Sequence, residues 1–361
     1  MLYFDKFGKK SFNMIPVKGF AASDPTSPLG PYNFERRDLR EHDVLVDILF
    51  SGVCHSDLHQ VRDEWGGSIY PMVPGHEIVG KVIKTGDDVR KFKVDDTVGV
   101  GVMIDSCRQC KPCTEFMEQY CAEGMTGTYN NYERDKITLA QGGYSTQIVC
   151  DERWVYEISD KLDLAGAAPL LCAGITTYSP LKFANVKAGD RVAVAGLGGL
   201  GHMAVKFAVA MGAEVTMLST SPSKEKDAKK LGAHHFVLST DKAAMRVHQS
   251  HFDVVVDTVS ADHDYEIYLK LLDLHGKLLV VGLPKDEPHV NPFELLKNRR
   301  SIIGSMIGGT VETQAMLNFC AEKNIVADVE VIPMQKINEA YERLLKRDVK
   351  YRFVIDMASI K

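Results

Sequence analysis

The hydrophobic rhythm of the chain changes near residue 161. Before that point, short apolar runs alternate with turn residues. Val44-Leu45-Val46-Asp47-Ile48-Leu49-Phe50 predicts a strand, and its nearly continuous apolar stretch implies burial on both faces for part of its length. Glu77 to Ile83 predicts a second strand, closed by the turn signal Gly86-Asp87-Asp88. Asp96 to Val102 predicts a third, in which the glycines point to a bulge or a close backbone approach. Short strands without intervening helices imply a compact, barrel-like domain.

After residue 161 strands and helices alternate. Arg191–Ala195 is a short apolar run followed by glycines, and Leu200 to Met211 carries helical periodicity. Glu214–Leu218 predicts a strand and Lys224–Leu231 a helix. Further strand patterns follow at Phe236–Leu238, Phe252–Val256, Lys277–Val281 and Ser301–Met306. Alternation of this length implies a parallel, doubly wound sheet, and hence an α/β fold class. Beyond it come a helix from Thr310 to Glu322, a strand at Asp328–Ile332, a helix through Asn338–Tyr341 and a last strand at Tyr351–Ile355. This tail is assigned back to the first domain. The expected division is therefore 1–172 with 309–361 as a β-rich domain, and 173–308 as an inserted α/β domain.

A chain of 361 residues has room for two domains, and 45% hydrophobic with 25% charged residues is ordinary globular composition. The net charge of −5 leaves no basic footprint, so no nucleic-acid partner is expected. No apolar run reaches the ~18 residues of a spanning helix, and no membrane association is expected. The first residues lack the charged-then-apolar layout of a secretion signal, so the expected location is cytoplasmic and the first dozen residues are expected to form a loose tail.

The cysteines change this picture. There are eight, at 54, 107, 110, 113, 121, 150, 172 and 320. Cys107-x₂-Cys110-x₂-Cys113-x₇-Cys121 lets thiolates from tight turns converge and a fourth close a tetrahedron, which implies a structural Zn²⁺ site. Inert buried thiols or an iron–sulfur cluster are the alternatives, but the ferredoxin spacings differ. Cys54 and, farther on, His76 in Gly75-His76-Glu77 offer a second sulfur–nitrogen donor pair suited to zinc. A third ligand is needed, and spacing alone leaves both Cys150 and Cys172 open. Cys172 lies at the expected domain junction, which favours it for a metal placed beside a dinucleotide.

Gly196-Leu197-Gly198-Gly199-Leu200-Gly201 fits G-x-G-x-x-G between a predicted strand and a predicted helix, the context of a dinucleotide fingerprint in a Rossmann domain. A merely tight turn is the bland alternative. At the end of the next strand no carboxylate awaits a ribose 2′-hydroxyl. Ser219, Thr220, Ser221 and Lys224 stand there instead, and suit a 2′-phosphate. NADP is therefore expected over NAD, although the serines could also cap the following helix.

Gly-His-Glu-x-x-Gly at 75–80, the four-cysteine cluster, Cys172 and the fingerprint together resemble a zinc-dependent medium-chain alcohol dehydrogenase. Gly52 to Asp57, Leu171 to Pro180 and Gly304 to Gly309 resemble more narrowly the cinnamyl alcohol dehydrogenase branch with its bacterial aldehyde reductases. The resemblance runs from about Val17 to Asp356. It implies a GroES-like catalytic domain, a Rossmann domain, two zinc ions per chain, NADP(H) and a homodimer. It places the catalytic zinc on Cys54, His76 and Cys172, with Glu77 behind the metal as a transient ligand and Asp57 orienting the imidazole. Ser56 and His59 match a proton relay, His55 a neighbour of the cofactor pyrophosphate, and Thr176 a contact of the nicotinamide. Trp65 and Met103, with Met306 and Ile307, are expected as apolar substrate walls, which would suit an aromatic or medium-chain aldehyde; ordinary core packing is the alternative for all four. The implied reaction interconverts alcohol and aldehyde by hydride transfer, favouring aldehyde reduction. A polyol dehydrogenase and a zinc- and nucleotide-binding protein without turnover are the competing readings.

Overall fold

The computed structural model describes residues 14–284 and 287–360; the tail expected over the first dozen residues lies outside them. Contacts divide the chain into two units, Met1–Cys172 with Gly309–Lys361, and Ala173–Gly308.

The first unit is built on a mixed sheet. Its central strand, Asp43–Val53, is the predicted apolar run extended by three residues towards Cys54. It pairs antiparallel with Ile78–Thr85, Gln147–Asp151 and the tail strand Arg352–Asp356. Thr97–Val100 and Val155–Glu157 extend one side, and Val329–Pro333 runs parallel to Arg352–Asp356 on the other. The tail therefore completes the same sheet that carries Cys54, with Phe353 opposite Val53. The glycines of the third predicted strand mark a close approach. A Cβ on Gly99 would stand 2.8 Å from Leu171 Cδ1, and one on Gly101 3.2 Å from the Leu171 carbonyl oxygen.

The expectation of strands without helices fails at His55–Val61, a helix that begins directly after Cys54. Two buried apolar positions, Leu58 and Val61, are all that its periodicity offers. What starts the helix is polar: the Asp57 carboxylate accepts the Cys54 backbone N–H at 2.9 Å.

The second unit is a parallel six-stranded sheet. Its order is His235–Leu238, Glu214–Ser219, Arg191–Ala195, Phe252–Asp257, Leu272–Val280, Ser301–Gly304. In chain order this reads 3-2-1-4-5-6, so the strand order reverses between Arg191–Ala195 and Phe252–Asp257, where such sheets bind ligands at their carboxyl ends. Val192, Val194, Val215, Met217, Val255 and Leu278 are fully buried, as strands covered on both faces require. On one face, Tyr178 of the helix Ala173–Phe183 meets Phe207 of the helix Gly201–Ala210 edge-on at 5.3 Å. Among the described residues no single helix is long and apolar enough to cross a membrane.

Candidate metal centres and cofactor fingerprint

Cys54 leaves the central strand and caps the helix His55–Val61, so its thiol is fixed by sheet and helix together. His76 follows Gly75, whose φ of 104° favours glycine. A Cβ there would also strike the Tyr144 ring at 2.6 Å. Asp57, wholly buried, joins the two segments. Its carboxylate accepts from Cys54 N at 2.9 Å, Gly75 N at 3.1 Å, the Tyr144 hydroxyl at 3.2 Å and His76 Nδ1 at 3.0 Å. Holding the proton on Nδ1 leaves Nε2 as the free donor atom of His76.

The atoms offered by Cys54, His76, Glu77 and Cys172 lie within 4.8 Å of one another, and all four residues are buried. The Cys54 and Cys172 sulfurs are 4.0 Å apart. Two thiolates on one tetrahedral Zn²⁺, each ~2.3 Å from it, would stand about 3.8 Å apart. Among the described residues Oε2 of Glu77 has no hydrogen-bond partner, while its Oε1 pairs with the buried guanidinium of Arg352. A set of two sulfurs and one nitrogen, with a spare carboxylate oxygen, fits zinc.

The charges agree with that fit. The hydrogen bond to Cys172 holds the Cys54 thiol well below its ordinary range, and the charges of Arg352 and His76 add to this against burial. Cys172, the other half of that hydrogen bond, is pushed up. Burial alone would lower the His76 imidazole, but Asp57 and then Cys54 raise it. Burial pushes Glu77 up to about 7 despite Arg352. Cys150, the other third-ligand option, sits on the strand Gln147–Asp151 opposite Val44, outside this group, with burial keeping its thiol protonated.

The neighbouring polar residues divide. Ser56 lies beside the donor set, its hydroxyl 3.6 Å from Cys54 Sγ. His59 pairs through Nδ1 with Glu64 and stacks on Trp65 at 5.0 Å. No hydrogen bond joins Ser56 directly to His59 among the described residues. His55 is exposed at the helix start. Trp65 is half exposed, whereas Met103 is enclosed in the fold.

Cys107, Cys110, Cys113 and Cys121 converge in a second group. Their sulfurs draw backbone N–H groups inward: Cys110 N donates to Cys107 Sγ at 3.3 Å, Cys107 N to Cys121 Sγ at 3.3 Å, and Ala122 N to Cys110 Sγ at 3.4 Å. These donors favour thiolates, and the N–H groups of Ala122 and Cys113 bring Cys110 down to about 6. The lobe is tied to the rest of its unit by Glu118, whose carboxylate accepts from Thr310 N at 3.0 Å and from the Thr310 hydroxyl at 2.8 Å. That contact caps the helix Thr310–Lys323.

In the second unit the fingerprint glycines have separable duties. Gly196 ends the strand Arg191–Ala195 with φ 88°. A Cβ on Gly201 would lie 1.9 Å from the Gly196 carbonyl oxygen, whereas one on Gly198 would meet nothing within 4 Å. Gly199 and Leu200 carry the turn into the helix Gly201–Ala210, whose N-terminus favours an anion. Lys224 Nζ donates to the Leu197 carbonyl at 2.6 Å, which draws its charge onto the fingerprint turn. The Ser219 hydroxyl accepts from Ser221 N at 3.2 Å, Thr220 is exposed, and Ser221 makes no side-chain cap to the helical turn after it. Thr176 is buried on the helix Ala173–Phe183. Met306, partly exposed, and Ile307, buried, follow the strand Ser301–Gly304.

Arg352, Tyr144 and Thr258 were not singled out from sequence. Arg352 had a signal, as the charge in the otherwise apolar run Tyr351-Arg352-Phe353-Val354-Ile355. Thr258 had none: its hydroxyl donates to the Ala195 carbonyl at 2.8 Å and to that of Gly196 at 3.1 Å, closing the fingerprint from the next loop.

Known proteins share these features. Residues 40–160 match the alcohol dehydrogenase GroES-like domain, and residues 199–322 match the zinc-binding dehydrogenase domain. The chain is 52% identical over 349 residues to NADP-dependent alcohol dehydrogenase C 1 of Mycolicibacterium smegmatis, covering 96% of this chain and 100% of that protein. It is 52% identical to a probable mannitol dehydrogenase of Fragaria ananassa, covering 95% of this chain and 96% of that one. The cinnamyl alcohol dehydrogenase structure from Sorghum bicolor matches with a TM-score of 0.92 at 43% identity, covering 96% of this chain and 99% of that one.

Proposed function

The chain belongs to the zinc-dependent medium-chain alcohol dehydrogenases of the cinnamyl alcohol dehydrogenase type, and we propose that Cys54, His76 and Cys172 hold its catalytic zinc while Cys107, Cys110, Cys113 and Cys121 hold its structural zinc. It is an NADP-dependent oxidoreductase that interconverts alcohols and aldehydes. The observation that carries the site assignment is the convergence of the buried Cys54, His76 and Cys172 donors around one point, oriented by Asp57.

Bound there, zinc supplies Lewis acidity to the oxygen of the alcohol or aldehyde. The chain's own residues do the rest. Asp57 keeps the His76 imidazole in the tautomer that presents Nε2. Ser56 is the proton carrier nearest the donor set, and His59, oriented by Glu64, exchanges that proton with solvent. Arg352 compensates Glu77, so the carboxylate stays available behind the thiolates. The fingerprint turn takes the pyrophosphate over Gly198, with His55 reaching it and Thr176 against the nicotinamide. Ser219, Thr220, Ser221 and Lys224 receive the 2′-phosphate. Trp65 and Met306 keep exposed apolar surface that suits an aromatic or medium-chain aldehyde, whereas Met103 and Ile307 are enclosed. A cytoplasmic homodimer completes the reading.

Initial rates with cinnamaldehyde, benzaldehyde, butanal and mannitol, each with NADPH or NADP⁺ and with NADH or NAD⁺, test it. The aldehydes with NADPH should dominate. The mannitol dehydrogenase relative supports polyol oxidation as a second reading, and a clear preference for mannitol would establish it in place of the first.

A further inference from the structure

The loop after the strand Phe252–Asp257 lies directly on the fingerprint. A Cβ on Gly196 would meet Thr258 Oγ1 at 3.0 Å and Val259 Cγ2 at 3.1 Å, and one on Gly201 would meet Thr258 Oγ1 at 3.1 Å. On its other side, a Cβ on Gly282 would strike the Val259 carbonyl oxygen at 2.3 Å. The turn that receives the pyrophosphate therefore rests against this loop.

Besides the bonds of Thr258 N and Oγ1 to the Ala195 carbonyl, a buried ion pair holds the loop. Asp257, fully buried at the strand end, turns one oxygen to Val259 N at 3.1 Å and the other to His263 Nε2 at 2.8 Å. His263 Nδ1 lies 2.7 Å from the Ala261 carbonyl oxygen. A carbonyl only accepts, so Nδ1 must carry a hydrogen. Nε2 then faces a carboxylate oxygen, and the contact needs a proton between them, whether it resides on nitrogen or oxygen. Without that proton two acceptors would oppose each other at hydrogen-bonding distance. The imidazole is held in place by Tyr265 and Tyr268, with ring centroids at 5.4 Å each.

We propose that His263 is a positioning residue for cofactor binding: with Asp257 it forms a one-proton latch that fixes the loop 257–264 and, through Thr258, the fingerprint turn. This rests on the assignment of residues 196–201 to NADP(H). Burial raises the Asp257 carboxyl, so the folded loop holds the proton more strongly than an exposed carboxylate would, and the latch opens as pH rises. Among the described residues Asp257, Tyr265 and Tyr268 meet the imidazole. Both tyrosines are raised, by burial first and by Asp257 second, and stay neutral while the latch opens.

The test is the dissociation constant of NADPH, read by its fluorescence across about pH 6 to pH 10, in the zinc-loaded wild type, His263→Ala and Asp257→Asn. Opening the latch to where a tenth of the molecules keep an ordered loop weakens NADPH about tenfold, as expected for His263→Ala at neutral pH, with KM for NADPH rising and kcat little changed. The wild type should lose affinity as pH rises. Asp257→Asn should not, because its amide donates to a neutral imidazole while its carbonyl still accepts Val259 N. That difference separates the latch from any general alkaline weakening, and a merely structural role would not produce it. Parallel pH profiles for wild type and Asp257→Asn overturn the proposal, as does undiminished affinity in His263→Ala. A wild type that binds NADPH at no pH overturns the fingerprint assignment beneath it.

Discussion

Oδ1 of Asp57 stands 3.0 Å from Nδ1 of His76, and both residues are buried. The same carboxylate accepts three further donors, from Cys54 N, Gly75 N and the Tyr144 hydroxyl. One side chain thus sets the tautomer of one proposed ligand and the backbone of the other. Asp57→Asn replaces an oxygen by an NH₂ that must face donors, so the network breaks. Zinc affinity at Cys54, His76 and Cys172 should fall about 10- to 100-fold, the usual loss when a metal-bound histidine loses its partner. Metal analysis after graded chelation checks this: the variant should retain one zinc under conditions where the wild type retains two.

The buried pair of Arg352 and Glu77 makes a second prediction. Arg352→Met leaves the buried Glu77 carboxylate without its guanidinium partner, and breaking such a pair costs about 3–5 kcal/mol. Arg352→Met together with Glu77→Gln should recover most of that loss, since no uncompensated charge remains. Urea unfolding of the zinc-loaded single and double variants reads the difference. Equal destabilisation in both would mean that the guanidinium acts through packing alone.

At the four-cysteine lobe, metal and proton compete for the same sulfurs. The folded lobe holds the Cys110 thiol down at about 6, below the ordinary thiol range. A depressed acid contributes its stabilisation above the unfolded value and loses it as pH falls through the folded one. The structural zinc should therefore leave on acidification, as protons take the sulfurs. Cys110→Ser should release this zinc at neutral pH. Because Glu118 caps Thr310–Lys323 from the same lobe, the variant should also melt at lower temperature. A metallochromic indicator and a thermal scan follow the two effects.

The features of the two units differ in how legible they were. Zinc-ligand chemistry is local for the four-cysteine lobe, and a spaced run of thiols announces itself. The fingerprint was legible because a strand, six residues and a helix fall in one continuous stretch. Arg352 and Glu77 are 275 residues apart, and nothing in either neighbourhood names the other. The choice between Cys150 and Cys172 turned on tertiary placement, since both are buried thiols beside apolar residues. The helix His55–Val61 escaped the periodicity because an aspartate, not an apolar face, starts it. The strand alternation did carry the doubly wound sheet, where six strands repeat one pattern and each supports the next.

Gly198 and Gly201, three residues apart, should fail in different ways. A Cβ on Gly201 meets the Gly196 carbonyl oxygen at 1.9 Å, and that backbone atom belongs to the turn itself. Gly201→Ala must therefore deform the strand-to-helix turn, lowering both the stability of the second unit and its affinity for NADPH. Gly198 faces open space, and its backbone tolerates a side chain. Gly198→Ala should unfold within about 0.5 kcal/mol of wild type, as an exposed substitution does. Its methyl group nevertheless stands where the second fingerprint glycine admits the pyrophosphate, so NADPH affinity should fall about tenfold or more. Unfolding curves without cofactor, set beside NADPH titrations, separate the two variants. Normal NADPH affinity in Gly198→Ala would mean that the pyrophosphate does not cross the turn at this residue.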